Sequence, residues 1–437
     1  MDPVAVSLIG LAVLLVLMFL GMPVPLAMMF VGTLGIIFIL GLTPAYRLVS
    51  NALFQNFSSF TLAVAPMFAL MGFVANHSGL GSKLFRVADA FVGHIRGGLA
   101  SAVQLACVIF GAICGSMPAT IATMCSIAYP EMKKYNYHDS LSTASIAAGA
   151  TVACLIPPSI TFIIYGIATE TSIGRLFLAG VFPGLLLMVF YVIGIAFVTI
   201  RHPEYAPRTE KTPWGQRFKL LSSGGLIEVI IVFTVSIGGM YMGFFSPTEA
   251  GGMGAFAIIL ITVFQRKIGL RGIIDSFLAT TKLAAMVFFL IATAAVYGRF
   301  FAVSTLPRVL GAFVMSLDTP GWVIIAIIIV FYVVAGTVID ELALLLLTIP
   351  IFFPIVTAIG YDPVWYGVVM VICILIGTLL PPVGINCFIV KGILKEKVSL
   401  TTIYKGVWPF AISNFALCIV LMVFPQIALF LPNLVYG

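Results

Sequence analysis

The chain has 437 residues, of which 62% are hydrophobic and 8% charged, whereas a soluble domain carries roughly 25% charged residues. A soluble fold of this size cannot hide so much apolar surface, and apolar runs near the roughly 20 residues that cross a bilayer recur from end to end. The formal net charge is +7, but the cations lie in short loops between apolar runs, where they orient a membrane protein. That argues against nucleic acid as a partner and against a separate soluble domain.

The fold class that follows is an all-α polytopic membrane protein embedded in a lipid bilayer. The first apolar stretch, Val4 to Leu20, lacks a basic leader and a small-residue cleavage site, so it is expected to be a retained helix. Helices are expected near 4–20, 22–41, 52–76, 141–168 and 174–200. A polar linker, 201–221, carries Arg201, Arg208, Lys211, Arg217 and Lys219 and divides the chain. Further helices are expected near 223–241, 248–265, 276–303, 363–394 and 402–425. Two stretches, 97–131 and 321–355, are each long enough for two short helices but are broken by Gly and Pro. They read as re-entrant hairpins, which membranes tolerate only where protein or a water-filled cavity covers the exposed backbone.

With the N-terminus outside, 17 of the 22 Lys and Arg fall in cytoplasmic loops, as the positive-inside rule requires. The punctuation also repeats. Gly72, Gly115-Ser116, Pro157-Pro158 and Pro183 recur in order and at nearly constant spacing as Gly298, Gly336-Thr337, Pro381-Pro382 and Pro409. An odd number of spans precedes the linker, so the second copy is expected to be inverted. The expected organisation is a first repeat over 1–200 (hairpin 97–131, broken helix 141–168), a linker over 201–221, and a second repeat over 222–437 (hairpin 321–355, broken helix 363–394). Inverted repeats with interrupted helices point to an alternating-access transporter with a midplane site between the copies.

The helix from 141 is interrupted at IPPS (Ile156 to Ser159) and its counterpart at LPPVGIN (Leu380 to Asn386). A mid-span Pro-Pro pair removes backbone donors and frees carbonyls. Freed carbonyls can ligate a cation, and the N-terminus of the next half-helix suits an anion. Ser159, Thr161 and Asn386 at these breaks add neutral oxygens. One such kink is often a packing feature alone, but two copies at matching places favour function.

The hairpin tips read GSMPAT (Gly115 to Thr120) and GTVIDE (Gly336 to Glu341). Small residues there let the backbone approach a solute closely. Asp340 and Glu341 form an adjacent acidic pair inside apolar sequence, and ionisable residues at that depth mark ion or substrate paths by default. The alternative is a tip wetted at the outer interface. Arg299 within a span suits a bidentate grip on a carboxylate, or it snorkels outward or meets a partner subunit. The seven cysteines and four histidines form no CxxC, HExxH or triad pattern, so neither a metal centre nor an enzyme is expected. Amphipathic stretches at Lys83 to Arg96 and Val398 to Tyr404 are expected to lie flat at the cytoplasmic surface.

At these motifs the chain resembles the large membrane subunit (DctM-like) of tripartite ATP-independent periplasmic (TRAP) transporters. The matching segments are FGAICGSMPATIATMCSIAYPEMKKYNY from Phe110, IPPSITFIIYG from Ile156, SPTEAGGMGA from Ser246 and LPPVGINCFIV from Leu380, which span both halves. The resemblance implies an elevator-type transporter of a bacterial inner membrane that couples Na+ to uptake of an organic acid, a C4-dicarboxylate or similar anion. It also implies a small four-helix membrane subunit (DctQ-like) and a periplasmic substrate-binding protein (DctP-like). No extra helices precede Val4, so the small subunit is expected as a separate chain. The resemblance carries forward Gly115, Ser116, Thr120, Pro157, Gly336, Thr337, Asp340 and Pro381 as sodium-site candidates. Arg299, Ser159, Thr161, Asp340 and Asn386 are the candidate substrate contacts. Two departures stand out: Met117-Pro118 where the family usually has small residues, and Thr161-Phe162 where a second proline is common. The rival readings are a stand-alone ion-coupled carrier or antiporter, and a channel or scaffold without coupled transport.

Overall fold

The computed structural model describes residues 2–223, 225–316 and 319–437, and among them every regular element is helical. The first half holds α1 (Pro3–Phe19), α2 (Val24–Leu40), α3 (Leu42–Phe57), α4 (Val64–His77), α5 (Leu80–Val92), α6 (Gly98–Cys114), α7 (Met117–Lys134), α8 (Asp139–Leu155), α9 (Ile160–Thr169) and α10 (Ile173–Arg201). The second half opens with α11 (Trp214–Ser223) and α12 (Leu226–Phe233), which runs through a π-turn into α13 (Gly239–Tyr241). Then come α14 (Pro247–Phe264), α15 (Leu270–Ser304), α16 (Leu306–Ser316), α17 (Gly321–Gly336), α18 (Glu341–Ala358), α19 (Pro363–Leu379), α20 (Ile385–Leu394), α21 (Leu400–Val423) and α22 (Gln426–Tyr436).

Among the described residues, six helices are long and apolar enough to cross a membrane, or up to eight if each bent pair is one span, which makes the chain a multi-pass membrane protein. Helices α1 and α2 have 17 residues each, so they reach ~26 Å, slightly under a hydrocarbon core of ~30 Å.

The helix ends follow local chemistry. Asp362 caps α19 by accepting from Val364 N at 2.7 Å and Trp365 N at 3.2 Å. Ser246 and Glu249 close a reciprocal capping box on α14, with Pro247 at its first position. The helix expected over 52–76 is instead two. Ser58 turns its hydroxyl back to Phe54 O at 2.7 Å, competing with the helical ladder, and a 3₁₀ turn, Phe60–Ala63, leads into α4.

Two other expectations change in detail. The linker expected over 201–221 is partly helical, because α11 takes up its end, runs on to Ser223 and packs on the amphipathic α5. Arg217 is buried there, donating Nε to Thr212 O at 2.9 Å with its guanidinium 4.6 Å from the Trp214 ring and 5.8 Å from the Phe91 ring. Upstream, His138 N donates to Tyr205 O at 2.9 Å and the two rings stack at 4.2 Å. Val398 to Tyr404 is no separate arm but runs into the first turn of α21, capped by Ser399.

The core is built on α8 and α19. Ser140 through Leu155 and Val364 through Leu379 are buried without interruption, as expected of helices enclosed by others on all sides. Helix α8 packs on α6, α7 and α21, and α19 on α17, α18 and α21. The outer helices carry large exposed apolar side chains, among them Phe19, Phe38, Phe54, Ile200, Phe264 and Leu270, the surface that lipid covers.

Candidate functional site

Each hairpin turns where its sequence allows the least bulk. Helices α6 and α7 are joined by Gly115 and Ser116 alone, with Gly115 at φ +56°, a left-handed conformation that favours glycine. A side chain on Gly115 would run into Pro158 O, so the tip rests directly on the Pro-Pro break. Helix α4 supports the same point: a Cβ on Gly72 would come 2.8 Å from Cys114 O. At the second tip Gly336 and Gly377 lie backbone to backbone, with the Gly377 Cβ position 2.6 Å from Gly336 Cα.

A like pattern of main-chain bonds closes both units. Ile160 N, the first residue of α9, donates to Gly115 O at 3.4 Å. Gly384 N, just before α20, donates to Thr337 O at 3.1 Å. In each half the tip of the hairpin is therefore fastened to the break of the broken helix, α8 meeting α9 at a bend of 43° in the first half. Both Pro157-Pro158 and Pro381-Pro382 are cis.

The hydroxyls at these points are engaged locally. Ser116 O accepts from Thr120 Oγ1 at 2.8 Å, and Thr337 Oγ1 donates to Val334 O at 2.8 Å. Ser159 caps α9 by accepting from Phe162 N at 3.3 Å. The second break is occupied differently, since Tyr404 Oη reaches Pro382 O at 2.8 Å and Val383 O at 2.6 Å. Pro157 is buried while Pro381 is exposed.

Side chains cross between the halves. Asn386 donates Nδ2 to Ala147 O at 3.3 Å and to Met117 Sδ at 3.5 Å, reaching α8 and the first tip. Glu341 Oε2 lies 4.0 Å from Cys154 Sγ, which is 3.2 Å from Thr161 Oγ1. Away from the tips, Tyr165 Oη donates to Pro363 O at 2.7 Å.

The structure thus brings together Gly115, Ser116, Thr120, Pro157, Ser159, Thr161 and Asn386 around the first tip, and Gly336, Thr337 and Pro381 around the second. It sets two expected residues apart. Arg299 is on the exposed side of α15 and makes no ion pair among the described residues. Asp340 is exposed, makes no capping bond, and lines a groove with Leu15, Met18 and Phe19 of α1 and with Met22 and Val24. Its neighbour Glu341 points to the first break instead. Glu341, Cys154 and Met117 also take part in this crossing, although none of them is among the sequence-predicted site residues. The acidic pair and the unusual Met117 were visible, but which of two adjacent residues faces the break depends on helix phase.

This pairing of tips with breaks in both halves agrees with the residue patterns that resembled one transporter family. Residues 11–427 match the family described as "Tripartite ATP-independent periplasmic transporter, DctM component". The chain belongs to this family. It is 33% identical to the C4-dicarboxylate TRAP transporter large permease protein DctM of Pseudomonas aeruginosa, over 92% of this chain and 93% of that protein. It is 31% identical to the sialic acid TRAP transporter large permease protein SiaM of Vibrio cholerae, over 96% and 97% of the two chains. The fold is like that of the Alcanivorax borkumensis YdaH transporter, with a TM-score of 0.62, 13% identity and coverage of 88% of this chain and 89% of that one. DctM proteins are transport proteins, not enzymes.

Proposed function

We propose that this DctM chain is the large subunit of a sodium-coupled importer of an organic acid, a C4-dicarboxylate or similar anion, in a bacterial inner membrane. The observation that carries the reading is the fastening of each tip carbonyl to the break of its own half, Gly115 O to Ile160 N and Thr337 O to Gly384 N. On this reading 1–200 and 222–437 are inverted repeats, the two hairpins are re-entrant, and the N-terminus is periplasmic as the cation distribution requires.

The donor set suits a small hard cation. A carbonyl has two lone pairs, so Gly115 O and Thr337 O each keep one after their hydrogen bond, and the Ser116, Thr120 and Thr337 hydroxyls add neutral oxygens close by. Sodium bound there would supply the positive charge that offsets an anionic cargo in a low-dielectric site. The hairpins and broken helices, tied through α8 and α19, form the moving unit of an elevator, and the outer helices such as α1, α2 and α15 form its frame. The groove holding Asp340 against α1 lies on the boundary between them. A small DctQ-like membrane subunit would widen the frame, and a DctP-like periplasmic protein would deliver the acid. The names of the two relatives, C4-dicarboxylate and sialic acid permeases, both denote carboxylates.

The test is uptake into proteoliposomes holding the chain and both partners. Uptake is expected under an inward sodium gradient and not in sodium-free buffer with a proton gradient alone. Undiminished sodium-free uptake would overturn the coupling, and full transport by the chain without its partners would point to a stand-alone carrier.

A further inference from the structure

Helix phase puts four side chains at matching places in the two halves. Met117 and Glu341 are the first residues of α7 and α18, the second helices of the hairpins. Thr161 and Asn386 are the second residues of α9 and α20, the half-helices after the breaks. Asn386 meets Met117 at 3.5 Å, and at the counterpart position Glu341 meets Cys154 at 4.0 Å with Thr161 next to it. The contacts are alike in placement and opposite in chemistry: a thioether stands at one tip, a carboxylate at the other.

We propose that Glu341 is a specificity-determining residue whose carboxylate accepts a hydrogen bond from an ammonium or hydroxyl group on the transported acid. The inference rests on the import reading above and narrows its substrate class to acids that carry a donor. Among the described residues no Lys, Arg or His pairs with Glu341, and a carboxylate at this depth without a cationic partner is costly. Its polar neighbours across the break, the Cys154 thiol at 4.0 Å and the Thr161 hydroxyl, are a weak donor and a single neutral one. A second acceptor has no partner at all: Asn386 is fully buried, yet its Oδ1 has no hydrogen bond. Asn386 Oδ1 lacks a donor and Glu341 has only weak or neutral ones, and a plain dicarboxylate offers only more acceptors. Asp340 does not share the role, since it faces the α1 groove.

Three matched C4 acids distinguish the donors: succinate has none, L-malate adds a hydroxyl and L-aspartate an ammonium. Sodium-driven uptake of each is measured with the complete three-component system, for the wild type, Glu341→Gln and Glu341→Met, the last copying the Met117 side. The binding protein is the same in every assay, so a change between variants belongs to Glu341. We expect the wild type to favour malate or aspartate over succinate by roughly tenfold or more in kcat/KM, as for one hydrogen bond to a charged group. In Glu341→Gln that preference should collapse through a raised KM, with maximal rate, sodium half-saturation and melting temperature close to wild type. Glu341→Met should lose it fully. Equal or better handling of succinate by the wild type, a preference that survives Glu341→Gln, or a shift in sodium half-saturation with selectivity intact would each overturn the proposal. Sodium-driven uptake of succinate without any preference leaves the import reading standing, whereas no uptake of the three acids overturns both.

Discussion

The closest backbone approach at the second tip gives a sharp perturbation, Gly377→Ala. The new Cβ would stand 2.6 Å from Gly336 Cα and 2.8 Å from Thr337 N, where carbon contacts settle near ~3.5–4.0 Å. Relief therefore demands a displacement of ~1 Å between α17 and α19. Both neighbours are main-chain atoms, so no side chain can swing aside, and overpacking of this kind costs ~1–3 kcal/mol. The same displacement pulls on the 3.1 Å bond from Gly384 N to Thr337 O, and a misplacement of ~1 Å at a working site lowers rates by as much as ~100-fold. The expected result is a drop in uptake of roughly 10- to 100-fold at low sodium and a raised sodium half-saturation. Gly392→Ala is the control. It lies in α20 with nothing within 4 Å of its Cβ position, and alanine there should leave uptake unchanged while stabilising the helix by ~0.5–1 kcal/mol. The assay is tracer uptake across a sodium series in proteoliposomes with both partners, normalised to folded protein. A wild-type sodium curve for Gly377→Ala would refute the claim that the Gly336–Thr337 tip must sit against α19 for ion coupling.

Asn386→Ala removes the bonds to Ala147 O and Met117 Sδ that join the halves; a loss of ~1–2 kcal/mol should lower the melting temperature of the detergent-solubilised protein, and an unchanged value would show that the crossing contributes nothing. On the amphipathic arm α5, burial first and the charge of Glu131 second raise the Asp89 carboxyl from 3.8 to about 6. The native state then holds a proton that the unfolded chain releases, so stability falls as pH rises from about 4 to about 6 and levels off above that window. The shift corresponds to at most ~3 kcal/mol, reduced to ~1–2 kcal/mol for a carboxylate that solvent partly reaches. Asp89→Asn should therefore raise the melting temperature at pH 7.5 and have little effect at pH 4; an equal gain at both would refute the assignment.

Punctuation was the legible part of this fold. Gly115-Ser116 and the two Pro-Pro pairs were readable because each residue type has one strong backbone consequence, and the helices turn or break where those residues stand. Span boundaries were less legible where polar side chains compete quietly, as Ser58 does at the end of α3. The linker helix α11 was hidden because its burial depends on a partner, with Arg217 lying between Trp214 and Phe91, and no local pattern announces that. Arg299 had the right chemistry for an anion, but composition says nothing about which side of a 35-residue helix faces out.

Asp340 and Glu341 make the limit concrete. They are neighbours of one charge type, and the sequence motif puts Asp340, not Glu341, among the site candidates. Asp340 is the N-cap of α18 and Glu341 its first full residue, and successive helical positions turn by ~100°, enough to send one carboxylate to the α1 groove and the other to the first break. The same phase argument explains why the tip carbonyls bond within their own half while Asn386 and Glu341 reach across. A tip carbonyl is fixed by the turn itself and can only meet the break beneath it, whereas residues at the head of a helix project past that turn to the opposite half. On the import reading this division has a mechanical consequence. Whatever orders one tip also orders the break under it through Gly115 or Thr337, and through Asn386 it reaches the other half, so ion and cargo binding are linked without any residue having to contact both.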